Sequence, residues 1–247
     1  MATPRDYRTR VYENYGTSFQ DEKTYFDIAD SRQWGKAYAH YFRHWLPTAS
    51  DAQIVDLGCG RGKLLHFFLE RGYTNLKGVD ISPEQVLVAK EVTTDVVQGD
   101  VLDFLEGARG QFDLITALDL VEHFSKSEVL RFLDGCLGAL KPGGRLILQT
   151  PNAESPWGTA YRYGDFTHEV GFTPDSLRRL LALAGFSAIA PREAGPIPCG
   201  YSVSSNVRYL LWQVIRMSLL AWNIVETGNK GSGVVTRVFL CAATKPM

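Results

Sequence analysis

A glycine-rich loop is the first feature of this sequence that points to chemistry. The stretch IVDLGCGRGKLL, residues 54–65, holds Gly58, Gly60 and Gly62 between an apolar run and a helix-like run. A loop of this kind at the start of a helix suits a dinucleotide pyrophosphate, but that motif has a third glycine where Lys63 stands here. The glycines alone therefore leave the ligand open.

Three aspartates that accompany successive apolar runs narrow the choice of ligand. Asp80 ends the second predicted strand, where a carboxylate can accept two hydrogen bonds from a ribose diol. Asp100 follows the third strand and could meet an adenine amino group, whereas Asp56 precedes the glycines and could face an ammonium group. Because three carboxylates would repel a pyrophosphate, we expect an adenosyl ligand with an amino-acid tail and no phosphate.

Short apolar runs alternate with amphipathic runs from Ala52 onward, and this alternation predicts an α/β fold with a parallel sheet. The predicted strands cover residues 53–57, 75–81, 95–100, 112–118, 145–151 and 234–244. The long helix after the fourth strand is predicted to begin with a capping box of Ser125 and Glu128. Because ligands bind at the carboxyl ends of parallel strands, the glycine loop and the aspartates should converge there.

Five stretches between Ala52 and Asn152 resemble the successive motifs of class I S-adenosylmethionine-dependent methyltransferases, in order and in spacing. They read VDLGCGRGKLL, GVDIS, VQGDV, FDLITALDLVEHF and LKPGGRLILQTPN. The resemblance implies a Rossmann-like fold with a seven-stranded, mostly parallel sheet, an antiparallel last strand, helices on both faces, and S-adenosylmethionine as the cofactor. The cofactor-binding residues assigned on this basis are Asp56, Gly58, Cys59, Gly60, Asp80, Ile81, Asp100, Val101 and Leu118.

His123 is the first candidate for the catalytic base, because it follows the fourth strand in DLVEHF. A histidine titrates near neutral pH and can remove a proton from a hydroxyl acceptor. His168 and Asp165 are the substitutes for this role. The alternative for His123 is that it packs against the cofactor or caps the next helix.

The segment 151–173 is predicted to be a substrate loop over the catalytic mouth. Its aromatic and polar residues suit a sugar ring, because ring faces stack while hydroxyls pair with polar groups. The substrate-binding candidates are Trp157, Tyr161, Arg162, Tyr163 and Glu169. A surface loop tied down by aromatics is the alternative. Asp165, His168 and Glu169 could ligate a divalent metal, but such groupings are common, and no metal is expected.

The same loop resembles that of methyltransferases of bacterial polysaccharide assembly, in the pattern RYGD-THE-FTP-SL-LL-AGF. This resemblance implies O-methylation of a sugar hydroxyl, on a small-molecule or lipid-linked glycan, in polysaccharide or glycolipid assembly. Two alternatives remain open: an O-methyltransferase for a small aromatic or quinone hydroxyl, and an inactive partner protein that binds the cofactor.

Two further segments flank this core. Residues 1–50 are predicted to form a helical lid over the cofactor, with Tyr15, Trp34 and Tyr38, and residues 51–247 to form the methyltransferase domain. The insertion 205–226 reads as an amphipathic helix with a wide apolar face. We expect that face to pack within the chain or in a homodimer, or to lie on a membrane surface.

The composition favours some partners and locations over others. A formal net charge of -1 gives no reason to expect a nucleic-acid partner. The four scattered cysteines predict neither disulfides nor a zinc site. No signal peptide or spanning segment is expected. The protein is thus expected in the cytoplasm, with the membrane's inner face as an added site of contact.

Overall fold

The computed structural model describes residues 7–12, 15, 23–198 and 203–247. Its strands are β1 Gln53–Leu57, β2 Asn75–Asp80, β3 Val96–Gln98, β4 Phe112–Leu118, β5 Leu140–Pro151, β6 Ser187–Glu193 and β7 Val238–Thr244. Its helices are α1 Tyr7–Tyr12, α2 Ile28–Tyr41, α3 Lys63–Leu69, α4 Pro83–Ala89, α5 Val101–Gly107, α6 Lys126–Ala139, α7 Gly158–Arg162, α8 Pro174–Leu183 and α9 Val203–Thr227, with a 3₁₀ turn at Val121–His123. Cys199 lies outside the described residues.

All seven strands form one sheet in the order β3-β2-β1-β4-β5-β7-β6. The neighbours from β3 to β5 pair in parallel, and β7 runs antiparallel to both β5 and β6. This arrangement confirms the predicted fold class, including the antiparallel last strand. The strand order reverses direction between β1 and β4, and that is the point where ligands bind in open α/β sheets.

Helices cover both faces of the sheet, and each face forms a hydrophobic core layer with the helices that pack on it. One layer packs α5, α6 and α8 against the sheet, with Phe132 and Leu133 fully buried. The other packs α2, α3 and α4, with Phe42 and Phe68 fully buried. Because both layers rest on rigid strands, the loops at the carboxyl edge of the sheet are held in fixed positions.

Local sequence explains where the helices next to the site begin. Ser125 caps α6 in a reciprocal box with Glu128, as the sequence predicts, and Thr173 caps α8 in the same way with Ser176. Gly62 begins α3 at a φ of +83°, a left-handed conformation that favours glycine. The Ser125 and Thr173 caps satisfy amides at the start of α6 and α8 that would otherwise lack a partner.

The predicted lid is wrong for Trp34 and Tyr38. Both lie on α2, where their rings stack at 3.8 Å, and Tyr38 is buried in the core beside α3. The aromatic spacing that suggested a lid is instead the core-facing side of this helix. Another part of the segment, α1 and Tyr15, lies at the mouth of the cavity described below.

Helix α9 occupies the position predicted for the insertion, between β6 and β7, but its apolar face does not pack within the described chain. None of its residues is buried. Its polar side instead faces the protein, where Arg216 pairs with Glu193 at 3.1 Å. Leu210 and Trp222 are 64% and 68% exposed. No described helix is long and apolar enough to cross a membrane.

Candidate active site

The glycine loop after β1 has a backbone that most side chains would not tolerate. Gly58 and Gly60 have φ values of +67° and +51°, in the left-handed region. A Cβ on Gly58 would lie 3.1 Å from Cδ1 of Leu120. The Gly58 amide also donates to the Val79 carbonyl at 2.8 Å, which fixes the loop against β2. The loop therefore stays bare on the side where a ligand can approach.

Asp80 and Asp100 line the space beside this loop, as the sequence predicts. Asp80 accepts from the amides of Gly60 and Ser82, each at 2.8 Å. Asp100 caps α5 by accepting from the Leu102 amide at 2.6 Å. An ionised carboxylate has about four acceptor positions, so each aspartate can hold the backbone and bind a ligand at the same time.

Asp56 and Cys59 are the two predicted cofactor residues that do not line the cavity. Asp56 lies within the β1–β4 ladder opposite Thr116, whose hydroxyl donates to its carboxylate at 2.7 Å. Burial raises the pKa of Asp56 to about 7. Cys59 is buried against β2, where a Cβ on Gly78 would lie 2.9 Å from its Sγ. Direct contact of either side chain with the ligand is therefore not supported by this geometry.

A single cavity of about 580 Å³ joins the glycine loop to the predicted catalytic residues, and this volume is ordinary for a small-molecule site. The predicted cofactor residues that line it are Gly58, Gly60, Asp80, Ile81, Asp100, Val101 and Leu118. His123, Asp165 and His168 line it as well, together with Tyr161. The structure thus brings the three catalytic candidates to the same cavity as seven of the predicted cofactor-binding residues.

A chain of hydrogen bonds fixes the ring of His123. Asp165 accepts from the hydroxyls of Thr167 at 2.6 Å and Tyr15 at 2.6 Å. Because the Thr167 hydroxyl donates its proton to Asp165, it accepts from Nδ1 of His123, at 2.8 Å. This order of donors puts the ring proton on Nδ1 and leaves Nε2 with a lone pair.

The charge states around the ring follow from burial. Burial, and next the neighbouring His168, lower the pKa of His123 to about 4, so the imidazole is neutral at physiological pH. Burial opposes ionisation of Asp165, but the hydrogen bonds from Thr167 and Tyr15 outweigh it and lower the pKa of this carboxyl. A carboxylate, a hydroxyl and a neutral imidazole therefore stand in line at the acceptor end of the cavity.

Two acids that sequence reasoning did not single out, the exposed Asp119 and the buried Glu122, lie beside the histidines. Asp119 lines the cavity in a left-handed conformation, with φ of +52°, and accepts from Nε2 of Gln149 at 2.8 Å. Glu122 is 2% exposed, and burial, followed by the charge of Asp119, raises its pKa well above the usual range. The sequence does contain a signal for these acids. In DLVEHF, Asp119 stands three residues before Glu122, and Glu122 directly precedes the candidate base His123. Tyr38 donates to Gln149 at 2.8 Å and so supports Asp119 from the core.

The substrate loop contributes fewer side chains than the sequence predicts. Tyr161 lines the cavity, whereas Trp157 and Tyr163 are 46% and 78% exposed and do not line it. Arg162 turns back onto its own loop and donates to the carbonyls of His168 and Glu169. Glu169 accepts from the hydroxyl of Tyr7. These four predictions of substrate contact are not supported, because the loop uses its polar groups to hold its own shape.

Helix α1 adds residues that the sequence did not indicate as site residues. Arg8 and Tyr12 line the cavity together with Tyr15. Arg8 donates to both carboxylate oxygens of Glu128, at 2.7 and 2.9 Å, and to the His123 carbonyl at 3.0 Å. This fork ties α1 to the start of α6 across the mouth of the cavity.

Comparisons with known proteins agree with this geometry. A family model described as a methyltransferase domain matches residues 28–190. A ubiquinone biosynthesis O-methyltransferase from Xanthomonas campestris is 33% identical over 107 residues, 41% of this chain and 44% of that protein. A similar enzyme from Xylella fastidiosa is 32% identical over 109 residues, 42% of this chain and 43% of that protein. The matched region thus spans less than half of these curated relatives.

Solved structures share the fold at low sequence identity. A SAM-dependent methyltransferase from Archaeoglobus fulgidus has a TM-score of 0.63 and 19% identity, covering 97% of this chain and all of that chain. The human N-acetylserotonin methyltransferase, solved in complex with SAM, has a TM-score of 0.62 and 17% identity, covering 100% of this chain and 61% of that one.

The expected resemblance to polysaccharide-assembly methyltransferases finds no support among these proteins. The family match instead runs from the start of α2 into β6, and it includes the glycine loop, Asp80, Asp100 and His123. The chain therefore belongs to the methyltransferase-domain family and has the class I, Rossmann-like fold of S-adenosylmethionine-dependent methyltransferases.

Proposed function

We propose that this chain is an S-adenosylmethionine-dependent O-methyltransferase that methylates the hydroxyl of a small aromatic acceptor. The observation that carries the proposal is the single cavity in which adenosyl-binding aspartates and the buried ring of His123 meet. The methyl-donor end of the cofactor and the acceptor would then lie in one enclosed space, which favours in-line transfer through positioning.

The chemistry requires a lone pair that can take up the hydroxyl proton. The acceptor oxygen attacks the sulfonium methyl, a C–O bond forms, the C–S bond breaks, and the sulfonium becomes a neutral thioether. Within the chain itself, Nε2 of His123 offers the lone pair for the proton, because Nδ1 is already committed to Thr167. Asp165 stabilises the charged ring through Thr167.

The wall of the cavity favours an aromatic acceptor over a sugar. Near His123 the cavity is lined by Tyr12, Tyr15, Phe124 and Tyr161, whose rings can stack on a flat substrate. Four of the five loop residues expected to bind sugar hydroxyls lie outside the cavity. The names of the curated relatives, ubiquinone biosynthesis O-methyltransferases, also support the small-molecule alternative over polysaccharide assembly. An inactive cofactor-binding protein would not need an ordered Asp165–Thr167–His123 chain.

Methyl transfer from labelled S-adenosylmethionine to a panel of acceptors tests this proposal. The panel contains catechols and hydroxylated quinols on one side and sugar nucleotides and glycolipids on the other, with mass spectrometry of the products. We expect methylation of the phenolic compounds alone. His123→Gln should lower kcat by at least about a hundredfold, because proton transfer typically contributes that much, with unchanged cofactor affinity.

His44→Asn is the matched control, because His44 is exposed, does not line the cavity and has a φ of +66° that asparagine tolerates. This variant should turn over at the parent's rate. Methylation of a glycan in preference to every phenol, or a His123→Gln variant as fast as the parent, would refute the proposal.

A further inference from the structure

We propose that Glu122, His123 and His168 bind one divalent transition-metal cation at the acceptor end of the cavity. This inference deepens the proposed function and rests on it for what the cation does there. Each of the three side chains offers a ligand atom that lies within 4.8 Å of the other two. Among the described residues, this is the group whose donors converge closely enough to hold an ion.

Glu122 provides an independent indication that something is missing from this cluster. It is 2% exposed, and neither of its carboxylate oxygens has a hydrogen-bond partner of ordinary length and angle in the described part of the chain, although the Thr150 hydroxyl is a neighbouring donor. Its Oε1 lies 4.0 Å from Nε2 of His168, which is longer than a hydrogen bond. A buried carboxylate without partners destabilises a fold unless a cation or donor compensates it. A bound divalent cation would supply that compensation.

Both histidines are oriented as metal-binding histidines usually are. The Nδ1 atom of His123 is bonded to Thr167, and that of His168 faces the carbonyl oxygen of Tyr161 at 3.1 Å. A ring whose one nitrogen is fixed by a carbonyl or by a carboxylate-linked hydroxyl presents the other nitrogen as an unprotonated ligand. The two rings lie with centroids 4.7 Å apart, so their remaining nitrogens can reach a common point.

The separation of Glu122 and His168 comes close to what an ion requires, and all three ligand atoms lie within 4.8 Å of one another. A tetrahedral ion with bonds of about 2.1 Å holds its ligand atoms about 3.4 Å apart. The Glu122–His168 separation of 4.0 Å is therefore about 0.6 Å too wide, which side-chain rotation can close. Two imidazoles and one carboxylate leave at least one coordination position open, the pattern of catalytic rather than structural sites.

The open position defines what the cation does in methyl transfer. A cation held by Glu122, His123 and His168 would lower the pKa of a phenolic hydroxyl bound beside it, and the proton of that hydroxyl would pass to solvent water. The phenolate then attacks the methyl group as described above. In the loaded protein, His123 holds the cation instead of receiving the proton, so turnover becomes dependent on the metal.

Titration of the chelator-treated full chain with Co²⁺ tests the site without reference to activity. We expect visible absorption bands that saturate at one ion per chain and that Zn²⁺ displaces. His168→Ala and Glu122→Gln should each weaken Co²⁺ binding at least tenfold, whereas the control His44→Asn should match the parent. Mg²⁺ in large excess should not displace Co²⁺, since imidazole ligands favour transition metals.

Glu122→Gln has a second expected effect that separates a metal ligand from a structural residue. If the carboxylate is kept for an ion, replacing it should raise the thermal midpoint of the metal-free chain and abolish the rise that Zn²⁺ gives to the parent. A structural carboxylate would instead lower the midpoint in both states. If the Glu122 variant does not fold, Co²⁺ titration of His168→Ala tests the site by itself.

Failure of this inference and failure of the proposed function give different results. Parent protein that shows no Co²⁺ bands and methylates phenols fully in the presence of a chelator overturns the metal site and leaves the function intact. Parent protein that binds Co²⁺ at one ion per chain but has no methyl-transfer activity towards phenols, with or without metal, overturns the function and retains the site.

Discussion

At the scale of single residues, the positions that the sequence predicts best are those with short-range constraints. Gly58, Gly60, Asp80 and Asp100 line the cavity as predicted, because each is fixed by the end of a strand and the start of a helix. The geometry does not support direct ligand contact for Asp56, because sequence spacing does not show that this residue stays inside the β1–β4 ladder. Residues in a turn between a strand and a helix can be identified from the local sequence. Whether a side chain is buried depends instead on residues that are distant in the sequence.

Asp56 gives a prediction about pH. Its pKa of about 7 lies above its ordinary value near 3.8, so the folded chain holds this proton more tightly than the unfolded chain does. The stabilising effect is complete below pH 3.8 and is lost as the pH rises through 7. Between pH 6 and 8 the free energy of unfolding should fall by about 1.4 kcal/mol on account of this group.

Denaturant unfolding of the parent and of Asp56→Asn at several pH values measures this effect. The asparagine can keep the hydrogen bond from Thr116 and has no proton to lose. Its free energy of unfolding should therefore decline less than the parent's above pH 6. Parallel curves for the two proteins would show that Asp56 does not titrate in this range.

At the scale of elements, α1 is the part of the predicted lid that lies at the mouth of the cavity. Its attachment depends on the Arg8–Glu128 fork, in which Arg8 lowers the pKa of Glu128 to about 2. Arg8→Ala should release α1 from the mouth of the cavity. Because the pair is partly exposed, the loss should be about 1 kcal/mol, and the cofactor should dissociate roughly five to ten times faster.

Stopped-flow displacement of S-adenosylhomocysteine measures that dissociation rate. Arg131→Ala is the matched control, since Arg131 forms exposed ion pairs with Asp103 and Glu106 away from the cavity. An unchanged rate in Arg8→Ala, or the same increase in both variants, would mean that α1 does not hold the cofactor in place.

Helix α9 shows where a pattern predicts an element but not its surroundings. Its amphipathic period is visible in the sequence, yet its polar side faces the protein through Arg216 and its apolar side faces outward over about 37 Å of helix. We propose that this outward face binds a membrane surface, because it carries Trp222 and long aliphatic side chains on one continuous stripe.

Co-sedimentation with vesicles of phosphatidylglycerol and phosphatidylethanolamine tests this contact. The parent should sediment with the vesicles, and the double variant Leu211→Glu/Trp222→Glu should stay in the supernatant. Ser127→Glu, an exposed change on α6, should behave as the parent does. A parent that ignores vesicles but forms a dimer that the double variant abolishes would assign the face to a second copy instead.

At the scale of the whole molecule, six of the seven strands could be predicted from the sequence, whereas β6 and the acceptor could not. Alternating apolar runs and the family motifs specify strand order because every parallel connection obeys the same geometry. The substrate loop follows no such rule. Arg162 and Glu169 look like ligand-binding residues in the sequence, yet they bind the loop's own carbonyls and α1. The expectation of a sugar acceptor depended on such residues, and their geometry does not support it.

The claim on which the rest depends is that this cavity binds an adenosyl amino acid and not a dinucleotide. Calorimetric titration of the purified chain with S-adenosylhomocysteine, and separately with NAD, tests it most directly. We expect one binding site for S-adenosylhomocysteine and no heat with NAD; Asp80→Ala should remove the binding, while Asp95→Ala, which changes a surface ion pair with Lys77, should not. Uptake of NAD without any heat from S-adenosylhomocysteine would contradict the account.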